Sequence, residues 1–317
     1  MKAIIIGASG FVGGYLIRAV REDLGCELYV TRRHHTLDAE IDVHACELDI
    51  LDPQEIEALL AQVQPDYIFH LAAQSSIALS WQNPRLTVEV NVKGSLNLLS
   101  AIRKLPFQPK VLLVGSGEEY GYIDPRSVPI RETEVLKPGN IYAATKACQT
   151  LMGKVYADAY GMQLYMARAF NHMGPGQTAN FVVSDFCRQV AEIELGMKEP
   201  VLSVGNLEAQ RDFTDVRDMV RAYTRIVQFG TPGEIYNVGS GKPVRIRAIL
   251  DVILSQSKVK IDVQPNPAKF RPSDIPIIAA DTTKLYEATG WTPEIPLERT
   301  IADVLAYWRA KLRRDVQ

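Results

Sequence analysis

The sequence predicts an α/β fold: a doubly wound parallel sheet with helices on both faces and a smaller C-terminal domain beside it. Three observations carry this. Short runs that are apolar throughout alternate with longer amphipathic segments across the first half of the chain, and strands of that kind belong to a parallel sheet buried on both faces. The first run leads straight into a glycine-rich turn, Gly7-Ala8-Ser9-Gly10-Phe11-Val12-Gly13. The alternation weakens after Ala169, where loops rich in glycine and proline appear.

The elements follow in order. Residues 3–6 read as a strand, 11–22 as a helix and 27–31 as a second strand. Residues 53–62 are helical, with Ile56, Leu59 and Leu60 on one face. A third strand over 67–72 is opened by Pro65-Asp66. A helix over 90–104, a strand over 110–114, a helix over 143–160 and a strand over 164–167 continue the alternation. Right-handed crossovers between such strands give the doubly wound order. Beyond them, 170–177 holds two glycines and a proline and reads as a loop. A helix is expected over 184–195, an irregular polar stretch over 201–213, a helix over 215–229 and a strand over 234–238. Four prolines between 265 and 276 imply an extended loop. The last segment, 297–312, is an amphipathic helix. The division expected is a sheet domain over 1–169, to which 215–240 returns, and a second domain made mainly of 170–214 and 241–317.

Composition narrows the class without naming the chemistry. A chain of 317 residues exceeds one small domain. Hydrophobic residues at 47% and charged residues at 23% are ordinary for a soluble globular protein. Lys and Arg total 35 against 37 Asp and Glu, a balance that excludes a strongly basic nucleic-acid binder. No apolar run reaches the ~18 residues of a bilayer span, and the stretch before Gly7 is too short for a signal peptide. Cys26, Cys46, Cys148 and Cys187 form no CxxC pair. They read as reduced thiols of a cytoplasmic protein, neither a disulfide frame nor a metal site.

The glycine turn follows a strand and opens a helix. Gly7 permits the tight turn, Gly10 admits a pyrophosphate close to the backbone, and Gly13 lets helix and strand pack. Ser9, Phe11 and Val12 complete the loop. That context predicts dinucleotide binding and makes the sheet domain a Rossmann domain. An acidic residue at the end of the second strand would hold the NAD ribose hydroxyls; the chain has Thr31-Arg32-Arg33 there instead. Arg32 and Arg33 suit a 2′-phosphate, so NADP(H) is expected, with NAD(H) the alternative. Asp49 and Ile50, after the next strand, are candidates for the adenine ring.

Tyr142 and Lys146 sit four apart near a helix start and share a face. An ammonium beside a phenol favours the phenolate, so Lys146 is expected to lower the Tyr142 pKa and make it a proton-exchange group. Lys146 is also within reach of the nicotinamide ribose. Ser116 ends a buried strand in Val114-Gly115-Ser116-Gly117-Glu118-Glu119-Tyr120, where its hydroxyl can bond the same substrate oxygen.

Gly7-x-x-Gly10-x-x-Gly13, Leu71-Ala72-Ala73, Ser116 and Tyr142-x-x-x-Lys146 resemble the extended short-chain dehydrogenase/reductase family of nucleotide-sugar enzymes, over essentially the whole chain. Phe170-Asn171-His172, Gly174-Pro175-Gly176-Gln177, the stretch from Val204 to Phe213, and Arg271-Pro272-Ser273-Asp274 narrow the resemblance to the branch acting on GDP-mannose derivatives. The resemblance implies hydride transfer between the nicotinamide and C4 of a GDP-4-keto-6-deoxy sugar. Tyr142 then protonates the C4 alkoxide and Ser116 orients the carbonyl. Leu71, Ala72 and Ala73 line the cofactor. Arg211 and Arg271 pair with the diphosphate, Asp274 accepts from guanine or ribose, and Asn171, Val182 and Asn206 contact the nucleotide or sugar. The competing reading of Arg211 is a salt bridge with Asp212 or Asp215.

Two activities share these residues, reduction of the 4-keto sugar and 4,6-dehydration of GDP-mannose. Glu118 matches the dehydratases' C5 base and so is a catalytic candidate, but the reductases carry it too. Ser116 in place of threonine, and the short stretch from Arg32 to Asp49, favour reduction. The expected partners are a GDP-sugar and a second copy of the chain, docked through helices 90–104 and 143–160. Neither nucleic acid nor membrane is expected. His70 reads as a packed core residue and His34 and His35 as surface residues; His172 is a weaker substrate-contact candidate. No cluster has metal-ligand spacing.

Overall fold

The structure is a computed structural model describing residues 1–32, 43–269 and 275–316. The strands of the first half are Lys2–Ile6 (β1), Glu27–Arg32 (β2), His44–Glu47 (β3), Tyr67–His70 (β4), Lys110–Ser116 (β5) and Leu164–Ala169 (β6). Past them come Asn171–Met173 (β7), Val201–Val204 (β8), Gln210–Asp215 (β9), Ile235–Val238 (β10), Pro243–Arg245 (β11), Asp262–Pro265 (β12) and Ile277–Ile278 (β13). The α-helices are Phe11–Leu24 (α1), Pro53–Val63 (α2), Ile77–Gln82 (α3), Pro84–Val88 (α4), Gly94–Arg103 (α5), Ile141–Tyr160 (α6), Val182–Glu194 (α7), Val216–Phe229 (α8), Ile246–Ser255 (α9), Thr283–Thr289 (α10) and Leu297–Val316 (α11).

Seven strands pair in parallel in the order β10-β6-β5-β4-β1-β2-β3. The chain reverses its direction of travel across the sheet between β1 and β4. That switch point opens a crevice at the carboxyl ends of the strands. Residues after β1 and β4, and the last residue of β5, therefore face one rim.

Local sequence explains the elements around that rim. β1 carries Ala3, Ile4, Ile5 and Ile6 fully inside, which only a sheet covered on both faces allows. The Asp52 carboxylate caps α2 by accepting from the amides of Gln54 and Glu55, with Pro53 at the first helical position. In contrast α1 starts at Gly10 with no side-chain cap. Its first amides are left for something other than the protein's own side chains.

One sheet face packs on α1, α8 and α10 through Leu16, Val20, Met219 and Tyr223; the other packs on α2, α5 and α6 through Leu60, Leu98 and Ile102. A separate apolar core joins α7, α9 and α11 to β8 and β9 through Phe186, Leu202, Ile249 and Trp308. Leu285 and Trp291 belong to the core under the sheet. Residues 283–291 thus pack with the first body.

Three expected boundaries change. The helix expected over 90–104 starts at Pro84, which follows the capping Asn83, and passes through a π turn at Glu89–Lys93 before α5. The loop expected over 170–177 contains β7. The irregular stretch over 201–213 contains β8 and most of β9. Polarity misled there: Asp212, Thr214 and Asp215 of β9 are buried. The Asp212 carboxylate is satisfied internally, accepting from the amides of Ser240, Gly241 and Ala280.

Candidate active site

The glycine turn is held by steric necessity. Gly7 has φ of 86°, and a Cβ there would lie 2.6 Å from the Ala72 backbone. Its amide donates to the Thr31 hydroxyl at 3.0 Å. A Cβ on Gly13 would lie 1.9 Å from the Ala8 carbonyl oxygen. Around Gly10, by contrast, the nearest atom to a Cβ is 3.6 Å away, and Ser9 and Gly10 are exposed. Two glycines close the turn and the third leaves open backbone at an uncapped helix start, a cradle that fits a pyrophosphate.

Leu71 and Ala72 donate their amides to the Ile6 carbonyl, both at 2.9 Å, which draws Leu71, Ala72 and Ala73 beside the turn. The Phe11 ring stacks on the His172 imidazole with centroids 6.2 Å apart, so the turn also meets the segment after β6. Arg32 ends β2, paired with Glu47 of β3. Asp49 follows β3, and its carboxylate accepts from the Leu51 amide. Ile50 is only 8% exposed and packs over Gly94 in the core. That burial removes most of the surface expected to meet an adenine ring. Arg33 lies outside the described residues.

Ser116, Tyr142 and Lys146 come together where β5 ends against α6. The Asn140 carboxamide caps α6 by accepting from the Ala143 amide at 2.8 Å, fixing Tyr142 in the first turn. The Tyr142 phenol faces the Ser116 hydroxyl, an interaction that favours the phenolate. Lys146 is 4% exposed; its ammonium donates to the Val114 carbonyl at 2.8 Å and the Gln149 carboxamide at 3.0 Å.

The electrostatic balance differs from the expected one. Burial pushes the Tyr142 phenol up to about 12; the Ser116 hydrogen bond opposes this, and Glu118 and Glu119 reinforce it. Burial also pulls Lys146 down to about 8, with Glu119 opposing. The lysine is turned toward the strand carbonyl. At neutral pH Tyr142 is a protonated donor.

Glu118 sits half-buried one turn past Ser116, its amide donating to the Ser116 hydroxyl at 3.2 Å. Its neighbour Glu119 is fully buried on Arg168. Two residues unremarked in the sequence reading brace the site. Asn91, in the π turn, donates to the Thr145 hydroxyl of α6 and the Gln74 carbonyl, and accepts from the Gln74 amide. Gln149 shares the Val114 carbonyl with Lys146. His70 is the packed histidine expected: it meets the Ser95 hydroxyl at 3.0 Å, and burial lowers its pKa to about 3.

Across the crevice, Asn171 is exposed on β7 and Val182 is half-buried at the start of α7. Asn206 lies between β8 and β9, where its carboxamide accepts from the Glu208 amide. Arg211 donates to the carbonyls of Gln210 and Ile275 at 2.9 and 2.7 Å. The carboxylates considered for it hold other partners as well, Asp212 the amides above and Asp215 the Arg217 guanidinium and Thr300 hydroxyl. Arg271 and Asp274 lie outside the described residues.

A parallel seven-stranded sheet with this turn and this Ser/Tyr/Lys group defines a Rossmann protein of the short-chain dehydrogenase/reductase type. The model of the family described as GDP-mannose 4,6 dehydratase matches residues 4–304, and the chain belongs to that family. GDP-6-deoxy-D-mannose reductase of Pseudomonas aeruginosa is 31% identical, covering 99% of each chain over 314 residues. GDP-mannose 4,6-dehydratase of Yersinia enterocolitica is 28% identical, covering 96% of this chain and 93% of its own over 352 residues. The solved structure of RMD from Pseudomonas aeruginosa, complexed with NADPH, is 29% identical with a TM-score of 0.85, covering 98% of this chain and all of its own.

Proposed function

We propose that the chain reduces the C4 keto group of GDP-4-keto-6-deoxy-D-mannose with NADPH, giving GDP-D-rhamnose. What supports this is the meeting of Ser116, Tyr142 and Lys146 where β5 ends against α6 beside the glycine turn, a group able to give a proton to a keto oxygen. Alignment lengths favour the same reading. The reductase aligns over 314 residues at 99% of both chains, with almost no gaps. The dehydratase needs 352 positions to cover 96% of this chain, so it carries insertions that this chain lacks.

The chain's own groups divide the work. The open backbone at Gly10 and the start of α1 bind the cofactor pyrophosphate, and Arg32 pairs with its 2′-phosphate. When bound, the nicotinamide supplies the hydride for C4. Ser116 orients the carbonyl, and Tyr142 gives its phenolic proton to the C4 oxygen. Lys146 is one helical turn away, with two of its three N–H donors held by Val114 and Gln149. The third is available to the tyrosinate left behind. Asn171, Val182, Asn206 and Arg211 line the sugar and diphosphate side. The cofactor sits on the sheet body and the nucleotide sugar on the body formed by α7, α9 and α11.

A paired assay tests this. GDP-mannose is supplied with NADP+, and separately GDP-4-keto-6-deoxymannose with NADPH. Stoichiometric NADPH oxidation in the second alone is expected. Product from the first alone identifies a dehydratase, turnover without net cofactor consumption an epimerase, and tight NADPH binding with no turnover a non-catalytic binder. We also propose that the chain forms a homodimer through the outer face of α6, where Leu151 and Val155 are 55% and 59% exposed around an apolar hollow lined by Cys148, Met152 and Tyr156.

A further inference from the structure

Glu119 and Arg168 form an ion pair with side chains 0% and 3% exposed, their Oε2 and Nε 2.8 Å apart. A buried pair is weak evidence of stability, because desolvation consumes most of the attraction. Its hydrogen bonds show what the pair does. Glu119 Oε1 accepts the Ser116 backbone N–H at 2.8 Å and the Thr150 hydroxyl at 3.0 Å. Thr150 lies eight residues past Tyr142 on α6, two turns along the same face. One oxygen therefore ties the end of β5 to the helix face that carries Tyr142. The strand leaves room for it: a Cβ on Gly115 would fall 2.3 Å from that oxygen.

Arg168 anchors the carboxylate from the other side. It donates to the Tyr120 hydroxyl at 3.0 Å, with its guanidinium 4.8 Å from that ring. Tyr120 donates in turn to the Asn237 carboxamide at 2.7 Å. The brace thus runs from β10 through β6 to Ser116, and every bonded group lies inside the protein.

We propose that Glu119 is a positioning residue: its carboxylate, held by Arg168, sets the Ser116 backbone against the Tyr142 face of α6 through Thr150, so that the two hydroxyls meet. The kinetic consequence rests on the reductase reading; the structural one does not.

The test follows the 13Cζ resonance of Tyr142 in tyrosine-labelled NADPH-bound protein, assigned with Tyr142→Phe. Thr150→Val removes one hydrogen bond without touching a charge. Ser116→Ala and Thr150→Val are expected to shift the resonance in the same direction. The double variant is expected to go no further than Ser116→Ala alone. A resonance unmoved by Thr150→Val, or by Ser116→Ala, overturns the proposal. The paired replacement Glu119→Leu with Arg168→Met removes both buried charges and repeats the reading. In turnover, Ser116→Ala is expected to cost about 100-fold in the wild type and under 10-fold beside Thr150→Val. Equal factors in both backgrounds overturn the proposal. Absent wild-type turnover counts against the reductase reading only, since the resonance needs no substrate.

Discussion

The Lys146 ammonium donates to the Val114 carbonyl at 2.8 Å, two residues before Ser116 on the same strand. This buried contact has a pH signature. Burial holds the folded Lys146 pKa near 8, below the roughly 10.4 of a free lysine. Between those values the unfolded chain binds more protons than the folded one, so stability attributable to this group rises with pH. The slope is up to about 1.4 kcal/mol per pH unit. Urea unfolding at pH 7.5, 9 and 10 is expected to show wild type gaining on Lys146→Met as pH rises. A constant difference would show that Lys146 is not desolvated.

Tyr142 sits at about 12 with its phenol on Ser116, so phenylalanine removes a proton donor and little volume. Tyr142→Phe is expected to lower kcat with the keto sugar by about 100-fold or more. The NADPH dissociation constant should stay within about threefold, as the pyrophosphate cradle lies on α1. Titration of NADPH fluorescence alongside turnover checks both. Unchanged kcat refutes the acid role.

Arg32 ends β2 where an acidic residue would select an unphosphorylated ribose. Arg32→Ala is expected to weaken NADPH at least about tenfold and NADH hardly at all, the loss of one charge-assisted pair. Calorimetric titration with each cofactor measures the ratio. Equal weakening argues against 2′-phosphate recognition.

Sheet and cofactor turn were legible in the sequence because their physics is local. Gly7 and Gly13 are imposed by backbone contacts within a strand–turn–helix, and strands such as β1 advertise two-sided burial by being apolar throughout. Polar groups that find partners far along the chain were not legible. Glu119 reads as a packed or solvated neighbour of Glu118 until Arg168, 49 residues on, is seen against it. Asn91 looks like an interruption in an apolar helix until its π turn aims it at Thr145. The same blindness hid β9, whose polar residues read as an irregular stretch. The hold on Lys146 was not legible for a related reason. Helix spacing puts Lys146 on the Tyr142 face, but the Val114 carbonyl that holds its ammonium belongs to another element.

The exposed Leu151 and Val155 on α6 predict self-association. Leu151→Asp with Val155→Asp places two charges on the apolar face. Light scattering after gel filtration is expected to give twice the 35.3 kDa chain mass for wild type and the single-chain mass for the variant. A monomeric wild type refutes the dimer.

Adjacent glycines of α1 separate a packing requirement from a helix propensity. Gly13 faces β1, where a Cβ would meet the Ala8 carbonyl oxygen at 1.9 Å and its carbon at 2.4 Å. Both are backbone atoms, so relief requires moving the turn. Gly14 has nothing within 4 Å of the same built atom. Gly13→Ala is expected to destabilise by about 2 kcal/mol or more through overpacking. It should also weaken NADPH, because the displaced turn is the phosphate cradle. Gly14→Ala is expected to stabilise by about 0.5–1 kcal/mol, the ordinary gain of alanine over glycine inside a helix. Thermal unfolding with and without NADPH reads all of these effects. Losses of equal size at the two positions would show that the close approach of α1 to Ala8 does not govern the turn.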